Sequence, residues 1–200
     1  MLGRRKRVVV EATAITPGAN RRLVRVGEDS RELVPMPSSP NEPLVWRQPT
    51  VMAGTWWLES SNGAHVLFQI PGSMFRSSRV CTVEAVSGSW RLHLDWGFAR
   101  DSVIMRDSQD ALVASFKEGY FGSGKFVLAD ETQLPWRSLW LRNELIDTDG
   151  VLAIGVKPNW VWLRDEADVT VAPEFVGRAD LPALLTLAWY ASLDPRRRQS

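Results

Sequence analysis

The sequence predicts an all-β protein with one helix, built as a closed antiparallel barrel of about twelve strands around a buried hydrophobic C-terminal helix. Three observations predict this fold. From residue 55 onward, short segments alternate polar residues with β-branched or aromatic ones. Turn residues separate these segments at short intervals. An almost wholly apolar stretch, 181–193, then ends the patterned region.

Turn signals divide the region 55–171 into β-hairpins. Asn62-Gly63 predicts a turn inside the segment 55–70, and Gly88 predicts one inside 79–96. The segment 125–141 is predicted to turn near Asp130-Glu131 and to continue as a strand to its end. The remaining predicted turns lie at 107–110, 149–150 and 165–166.

The segment "DLPALLTLAWYASLD", residues 180–194, predicts a helix over 180–193. Asp180 is the expected N-cap, and Pro182 lies near the first turn, where its missing N–H costs nothing. The helix is too short to cross a bilayer, which takes about 20 apolar residues. Because it is apolar around its whole circumference, it must be enclosed, and an all-β chain can enclose it in a closed sheet. The residues that we expect in the barrel core are Leu184, Leu185, Leu187, Ala188 and Trp189.

The chain divides into residues 1–44, a barrel over 45–195 and a basic tail at 196–200. Within the first part, 4–15 and 21–26 are predicted to form a β-hairpin around 16–20. The segment 35–49 is rich in proline and is interpreted as a crossing loop with polyproline character. Its alternative role is that of a proline-motif ligand for a partner domain.

Composition limits the function classes. The net charge of +1, with 44% hydrophobic and 24% charged residues, is ordinary for a soluble globular protein and gives no reason to expect nucleic-acid binding. The single cysteine, Cys81, allows no intramolecular disulfide, so we expect a cytoplasmic protein. The start of the chain has no apolar stretch long enough for a signal peptide, and no transmembrane segment is predicted.

Two short motifs resemble ligand-binding loops. "GYFGSGKF", residues 119–126, fits the spacing of a phosphate-binding loop, but Phe126 replaces the Ser or Thr that would hold Mg²⁺. The residues after it favour a strand instead of the required helix, so a glycine-rich connection is the better interpretation. "DTDG", residues 147–150, lacks the later ligands of a calcium loop and predicts a hairpin turn. No cofactor is predicted.

Candidate catalytic and metal-binding residues are few. His65 and His93 are the only histidines and have no metal-ligand spacing with each other or with Cys81. Cys81 is expected to be a buried, inert thiol in a strand. The ten tryptophans could stack on nucleic-acid bases, but we expect them to fill the space between barrel wall and helix. No catalytic or metal site is therefore predicted.

Three motifs in 45–193 carry a family resemblance: "WRQP" at 46–49, "DTDGVL" at 147–152 and "LPALLTLAWY" at 181–190. The region resembles the tubby-like C-terminal domains, which include tubby proteins, plant LURP-one-related proteins and phospholipid scramblases. The resemblance implies a barrel threaded by its own C-terminal helix. Tubby domains bind phosphoinositides through Lys and Arg clustered on barrel strands. Lysine is sparse here and the barrel region is acidic overall, so that lipid site is not carried over.

The predicted function is that of a non-catalytic binding or scaffold protein. Its sharpest version is association with anionic membrane surfaces through the basic termini. The residues concerned are Arg4, Arg5, Lys6, Arg7, Arg196, Arg197 and Arg198. Solvated charged tails are the ordinary interpretation of such runs. The alternatives are a protein-interaction module that uses the N-terminal hairpin and Pro-rich segment, and an enzyme of unknown class.

Overall fold

The computed structural model describes residues 21–26, 29–49, 54–70, 72–73, 76–77, 80–95, 102–161 and 164–193. Strands dominate these residues. They are β1 (Arg22–Val26), β2 (Asp29–Leu33), β3 (Leu44–Arg47), β4 (Thr55–Ser60), β5 (Gly63–Gln69), β6 (Gly72–Ser73), β7 (Arg76–Ser77), β8 (Val80–Ala85), β9 (Gly88–Asp95), β10 (Ser102–Asp107), β11 (Leu112–Glu118), β12 (Gly124–Leu128), β13 (Gln133–Ser138), β14 (Asn143–Ile146), β15 (Leu152–Val161) and β16 (Arg164–Val171). The helix is α1 (Leu181–Ser192), and short 3₁₀ turns cover Tyr120–Gly122 and Pro173–Phe175.

Twelve of the strands close into an antiparallel barrel. The order around it is β5-β4-β3-β16-β15-β14-β13-β12-β11-β10-β9-β8, and β8 pairs again with β5. The closing pair runs from Val66, opposite Ala85, to Gln69, opposite Thr82. The predicted barrel of about twelve strands is confirmed. Its hairpins have the pattern that the sequence predicts, with side chains alternating between the interior and the outer face.

Three local predictions were wrong. Asp165 and Glu166 are not a turn, because they lie in β16 opposite Trp160 and Asn159. Acidic residues favour turns, but here they lie on a strand that continues a long β15–β16 pairing. The Pro-rich segment 35–49 is not loop throughout, since β3 lies within it and pairs with β16 and β4. The strand in 125–141 ends at Ser138 instead of reaching Leu141.

Helix α1 fills the barrel. Eleven of its twelve residues are buried, and Leu184, Leu185, Leu187 and Ala188 have no exposed surface. Trp189 is 2% exposed and stacks on Trp46 of β3, with ring centroids 5.9 Å apart. The one polar side chain deep in the helix, Thr186, donates its hydroxyl proton to the carbonyl of Pro182 at 2.8 Å. No helix of the described residues is long and apolar enough to cross a bilayer.

The start of α1 differs from prediction. Asp180 occupies the N-cap position, but its side chain makes no capping hydrogen bond. Both of its carboxylate oxygens instead accept bonds from the Arg178 guanidinium, at 2.9 and 2.8 Å. A bidentate, charged donor competes better for the carboxylate than a backbone N–H does. Pro182 lies in the first turn as predicted.

The hairpin β1–β2 covers part of the outer wall of the barrel. Strand β2 continues parallel to β5 through the pair Leu33–Ala64. Leu33 and Val24 pack there against Trp57 and Leu67 in a second apolar cluster. Segment 21–26 therefore pairs with β2, whereas its predicted partner, 4–15, lies outside the described residues.

An ion pair fixes the hairpin to the barrel. The Arg22 guanidinium lies 2.7 Å from the Glu84 carboxylate and donates to the carbonyls of Ala85 and Gly88. Both charged side chains are about nine-tenths buried. Removing one partner of such a pair leaves the other charge buried and unpaired, which is strongly destabilising. The pair therefore holds β1 against the β8–β9 turn.

The barrel has two ends of different character. One end, here called the turn rim, carries the tight turns after β4, β8, β10, β12 and β14 and the start of α1. The other end, the loop rim, carries the connections after β11 and β13. Helix α1 begins beside Leu44 and Val171 at the turn rim, and two turns later Trp189 contacts Trp46. At about 1.5 Å per residue the helix spans the barrel, so Leu193 lies toward the loop rim.

Candidate functional site

Four large apolar or aromatic side chains are exposed together at the loop rim. The fractional exposure is 96% for Trp140, 74% for Tyr120, 69% for Leu141 and 47% for Leu139. We call these residues the rim patch. Single exposed apolar residues are common on protein surfaces, but adjacent ones that include a fully exposed tryptophan mark an interaction surface.

The loops that carry the rim patch have defined backbone conformations. The turn between β13 and β14 is closed by a hydrogen bond from the Leu139 N–H to the Arg142 carbonyl, at 2.9 Å. The connection between β11 and β12 is closed by a bond from the Gly119 N–H to the Ser123 carbonyl, at 2.6 Å. The Ser138 N–H donates to the Ser123 hydroxyl at 3.4 Å, so the two loops are neighbours. The exposed side chains are therefore presented by hydrogen-bonded turns.

Exposed cations flank the rim patch on the outer wall. Lys117 of β11, Lys125 of β12 and Arg137 of β13 are exposed and alternate with buried Phe116, Phe126 and Trp136. We call these three exposed cations the cation row. Lys117 lies directly opposite Lys125 in the pairing of β11 and β12. Like charges directly opposite each other destabilise a sheet, so this pair is unfavourable for folding and suits an anionic ligand.

The cation row has polar and acidic neighbours, and Arg137 lies opposite Glu144 in the pairing of β13 and β14. The Lys125 ammonium donates to the neutral Gln133 amide at 2.9 Å. The Glu144 carboxylate is buried and forms an ion pair with Arg142, whose Nε lies 2.6 Å from it. Glu118 is half-buried.

The opposite ends of the same strands are acidic. The turns there carry Asp107, Asp110, Asp130, Glu131, Asp147 and Asp149. Asp147 accepts from the N–H groups of Asp149 and Val151, at 2.9 and 2.7 Å. The Thr132 backbone N–H likewise bonds Asp130 and holds the pKa of that carboxyl below its ordinary value. These acids close turns. Strands β11–β13 therefore carry the cation row toward one end and acidic turns at the other.

The predicted basic sites lie outside the described residues, namely Arg4, Arg5, Lys6, Arg7, Arg196, Arg197 and Arg198. The nearest described residues are Leu193 and Arg21, and Arg21 is next to Arg22 at the β8–β9 turn. These two positions lie toward opposite ends of the barrel. The single patch formed by both termini stays a prediction.

The other residues and motifs considered in the sequence analysis lie in buried strands or in turns. Cys81 is buried in β8, and burial raises the pKa of its thiol to about 12. The Gly-rich segment 119–126 leads into strand β12, as predicted, and not into a helix. The "DTDG" motif forms the predicted hairpin turn, with Gly150 at a φ of +82°. Among the residues that the structure describes, no three His, Cys, Asp or Glu side chains form a potential metal site.

One small cavity lies at the turn rim, between the Pro-rich segment and the start of α1. Met36, Leu44, Val171 and Leu181 are among its lining residues. Its volume is about 10 Å³, which is room for about one water molecule. This cavity is too small for an organic ligand.

Sequence reasoning missed Trp140, because it assigned residues 139–141 to a strand and all tryptophans to the core. Trp46, Trp56, Trp57, Trp90, Trp136 and Trp189 are indeed buried. Trp140 lies in the run Leu-Trp-Leu, which breaks the alternation of β13. Such a run can also be buried in a strand, as Trp56, Trp57 and Leu58 are in β4, so the run alone does not separate a loop from a strand.

No family model, curated protein or solved structure matches the chain. The resemblance to tubby-like domains gains no support from these comparisons and stays a prediction.

Proposed function

We propose that the protein is a binding protein that associates with anionic membrane surfaces through the loop rim of its barrel. The observation that carries the proposal is the 96% exposure of Trp140 between two exposed leucines. Tryptophan is enriched at membrane–water interfaces, where its ring meets the acyl boundary and its N–H meets the head groups. Leucine on either side adds apolar area that a bilayer can bury.

The cation row supplies the second part of the attraction. Lys117, Lys125 and Arg137 lie near the ends of their strands, close to the level of the exposed loops. A basic residue near an anionic leaflet contributes about 1 kcal/mol, and burial of a large apolar side chain contributes about 1.5–3 kcal/mol. A few such contributions give reversible surface binding, and insertion of a whole helix is not required.

The acidic turn rim supports one orientation. An anionic leaflet repels the carboxylates at that end, whereas the cation row is attracted. The loop rim therefore faces the membrane, and the turn rim with the β1–β2 hairpin faces water. The basic termini predicted from sequence would add further attraction, and a separate variant tests them.

Co-sedimentation with vesicles tests the proposal. Wild-type protein is expected to sediment with phosphatidylserine vesicles at low salt and to be released at high salt. It is not expected to sediment with phosphatidylcholine vesicles. The double variant Trp140→Ala/Leu141→Ala should lose most of this binding. The matched control is Leu112→Ala, which removes a leucine that is 42% exposed at the turn rim.

The same assay separates the loop rim from the termini. A variant with all seven terminal Lys and Arg changed to Gln keeps the rim patch and should still sediment. Binding that survives loss of Trp140 and Leu141 but disappears with the terminal cations would contradict the proposal and favour the tails. Equal binding of wild type to neutral and anionic vesicles would contradict the role of the cation row.

A further inference from the structure

A serine, a histidine and a backbone carbonyl form a hydrogen-bonded chain outside the rim patch. The Nε2 atom of His65 lies 2.8 Å from the Ser60 hydroxyl oxygen, and its Nδ1 atom lies 2.7 Å from the Pro35 carbonyl oxygen. The Val34 carbonyl lies 3.4 Å from the same Nδ1. The His65 side chain is 1% exposed, whereas Ser60 is half-buried beside the exposed turn residue Ser61.

The partners fix the tautomer of His65. A carbonyl oxygen can only accept a hydrogen bond, so Nδ1 carries the proton in neutral His65. Nε2 is then the acceptor, and the Ser60 hydroxyl donates its proton to it. This is the arrangement that activates a serine, in which a base lies within hydrogen-bond reach of the nucleophile and a third group orients that base.

A backbone donor lies next to the hydroxyl. The Asn62 N–H lies 3.1 Å from the Ser60 oxygen, in the turn between β4 and β5. The Asn62 side-chain amide is bound to Glu42 at 2.7 Å, which fixes this turn against the Pro-rich segment.

We propose that Ser60 is an activated nucleophile that accepts an acyl group from carboxylic esters, with His65 as its general base. This inference is independent of the membrane proposal and goes beyond it. The Ser60 oxygen forms a bond to the ester carbonyl carbon while its proton moves to His65 Nε2. The bond to the alkoxide breaks, and His65 returns the proton to the leaving alkoxide. Water then attacks the acyl-serine, its proton passes through His65 to the Ser60 oxygen, and the carboxylic acid leaves.

Labelling with a fluorophosphonate, a serine-directed electrophile, tests the nucleophile on the full chain. Intact-protein mass spectrometry should show one adduct on wild type, and peptide mapping should place it on Ser60. Ser60→Ala should remove the adduct. The matched control Ser61→Ala, one residue away in the same turn, should retain it. The absence of an adduct on wild type, or an adduct that persists in Ser60→Ala, overturns the proposal.

A thiol version tests His65 without removing it. In Ser60→Cys the new thiol lies beside His65, and in Ser61→Cys it lies in solvent. The native Cys81 thiol is buried and has a pKa of about 12, so it should not react. A neighbouring imidazole promotes thiolate formation, so iodoacetamide should alkylate the Ser60→Cys variant at pH 6 at least about tenfold faster than the Ser61→Cys variant. A merely structural His65 predicts a Ser60→Cys thiol that is no more reactive than the control, and that result overturns the role as base.

Discussion

Two apolar stretches of this chain, helix α1 and the loop 139–141, contain the same residue types and have opposite surroundings. In α1, Trp189 is 2% exposed and Leu185 is fully buried. In the loop, Trp140 is 96% exposed and Leu141 is 69% exposed. The helix is surrounded by twelve strands that bury its whole circumference. The loop lies beyond the end of β13, where the barrel wall stops.

The comparison shows that apolar composition alone does not separate stability from binding. The barrel encloses and buries α1, so substitutions in α1 should change the stability of the fold. The loop 139–141 buries little in the folded chain, so changes there should leave folding intact and affect binding to a partner. Each prediction below acts on one side of this comparison.

The largest expected effect comes from charge placed in the helix. Trp189→Asp buries an unpaired carboxylate in the barrel and also removes the stacking with Trp46, so we expect a loss of at least about 4 kcal/mol or failure to fold. Chemical denaturation followed by circular dichroism measures the change. A soluble variant with the wild-type midpoint would contradict the enclosed position of α1.

Removal of the cation row should affect binding and not folding. The triple variant Lys117→Gln/Lys125→Gln/Arg137→Gln loses three charges worth about 1 kcal/mol each near an anionic leaflet, so the vesicle dissociation constant at low salt should rise by about 100-fold. Its thermal midpoint should equal or exceed that of wild type, because the repulsion between Lys117 and Lys125 is removed. The control is Arg106→Gln, at the turn rim. Equal losses of binding in both variants would show that position at the loop rim is irrelevant.

Trp140→Ala should weaken vesicle binding by about tenfold, since the apolar area of one side chain is removed from the interface. Its free energy of unfolding should stay within about 0.5 kcal/mol of wild type, because the side chain is exposed. Denaturation and co-sedimentation on one preparation measure both quantities. A strongly destabilised variant would mean that the loop belongs to the folded core, contrary to the comparison.

The smallest expected effect concerns an acidic turn. The pKa of Asp130 is lowered in the folded protein by the Thr132 N–H, so its contribution to stability is present above the unfolded-state pKa and is lost as pH falls through the folded-state pKa. Asp130→Ala should melt slightly below wild type at pH 7, and the difference should narrow in acid. Asp149→Ala, on another turn, is the control. A difference that is constant with pH would show that the charge of Asp130 is not involved.

Most of the fold could be predicted from the sequence because two strong patterns agree. Strand alternation with turn residues predicts the hairpins, and the unbroken apolar surface of 181–193 requires an enclosure. Strand β3 was missed because four residues inside a Pro-rich segment give almost no periodic signal. The turn assigned to Asp165 and Glu166 was wrong because two consecutive acidic residues resemble a turn in sequence but here belong to the β15–β16 pairing.

The sequence predicts basic sites at the two termini and does not indicate the loop rim. Association with an anionic surface was inferred from charge runs at the termini, which lie outside the described residues. The cation row escapes sequence reasoning because its members are far apart in the chain and become neighbours only through the pairing of β11, β12 and β13. The contact of His65 with Pro35 also depends on tertiary structure, since the β1–β2 hairpin brings the Pro-rich segment to the barrel.

The most direct test of the membrane account measures which rim enters the bilayer. A nitroxide is attached at Leu139→Cys on the loop rim or at Asp149→Cys on the turn rim, while buried Cys81 stays unlabelled. Accessibility to oxygen and to a water-soluble nickel chelate is then measured by electron paramagnetic resonance with phosphatidylserine vesicles. We predict that the label at position 139 gains oxygen accessibility and loses nickel accessibility, while the label at position 149 stays in water. Aqueous accessibility at both positions in vesicle-bound protein, or burial of position 149 alone, would contradict the account.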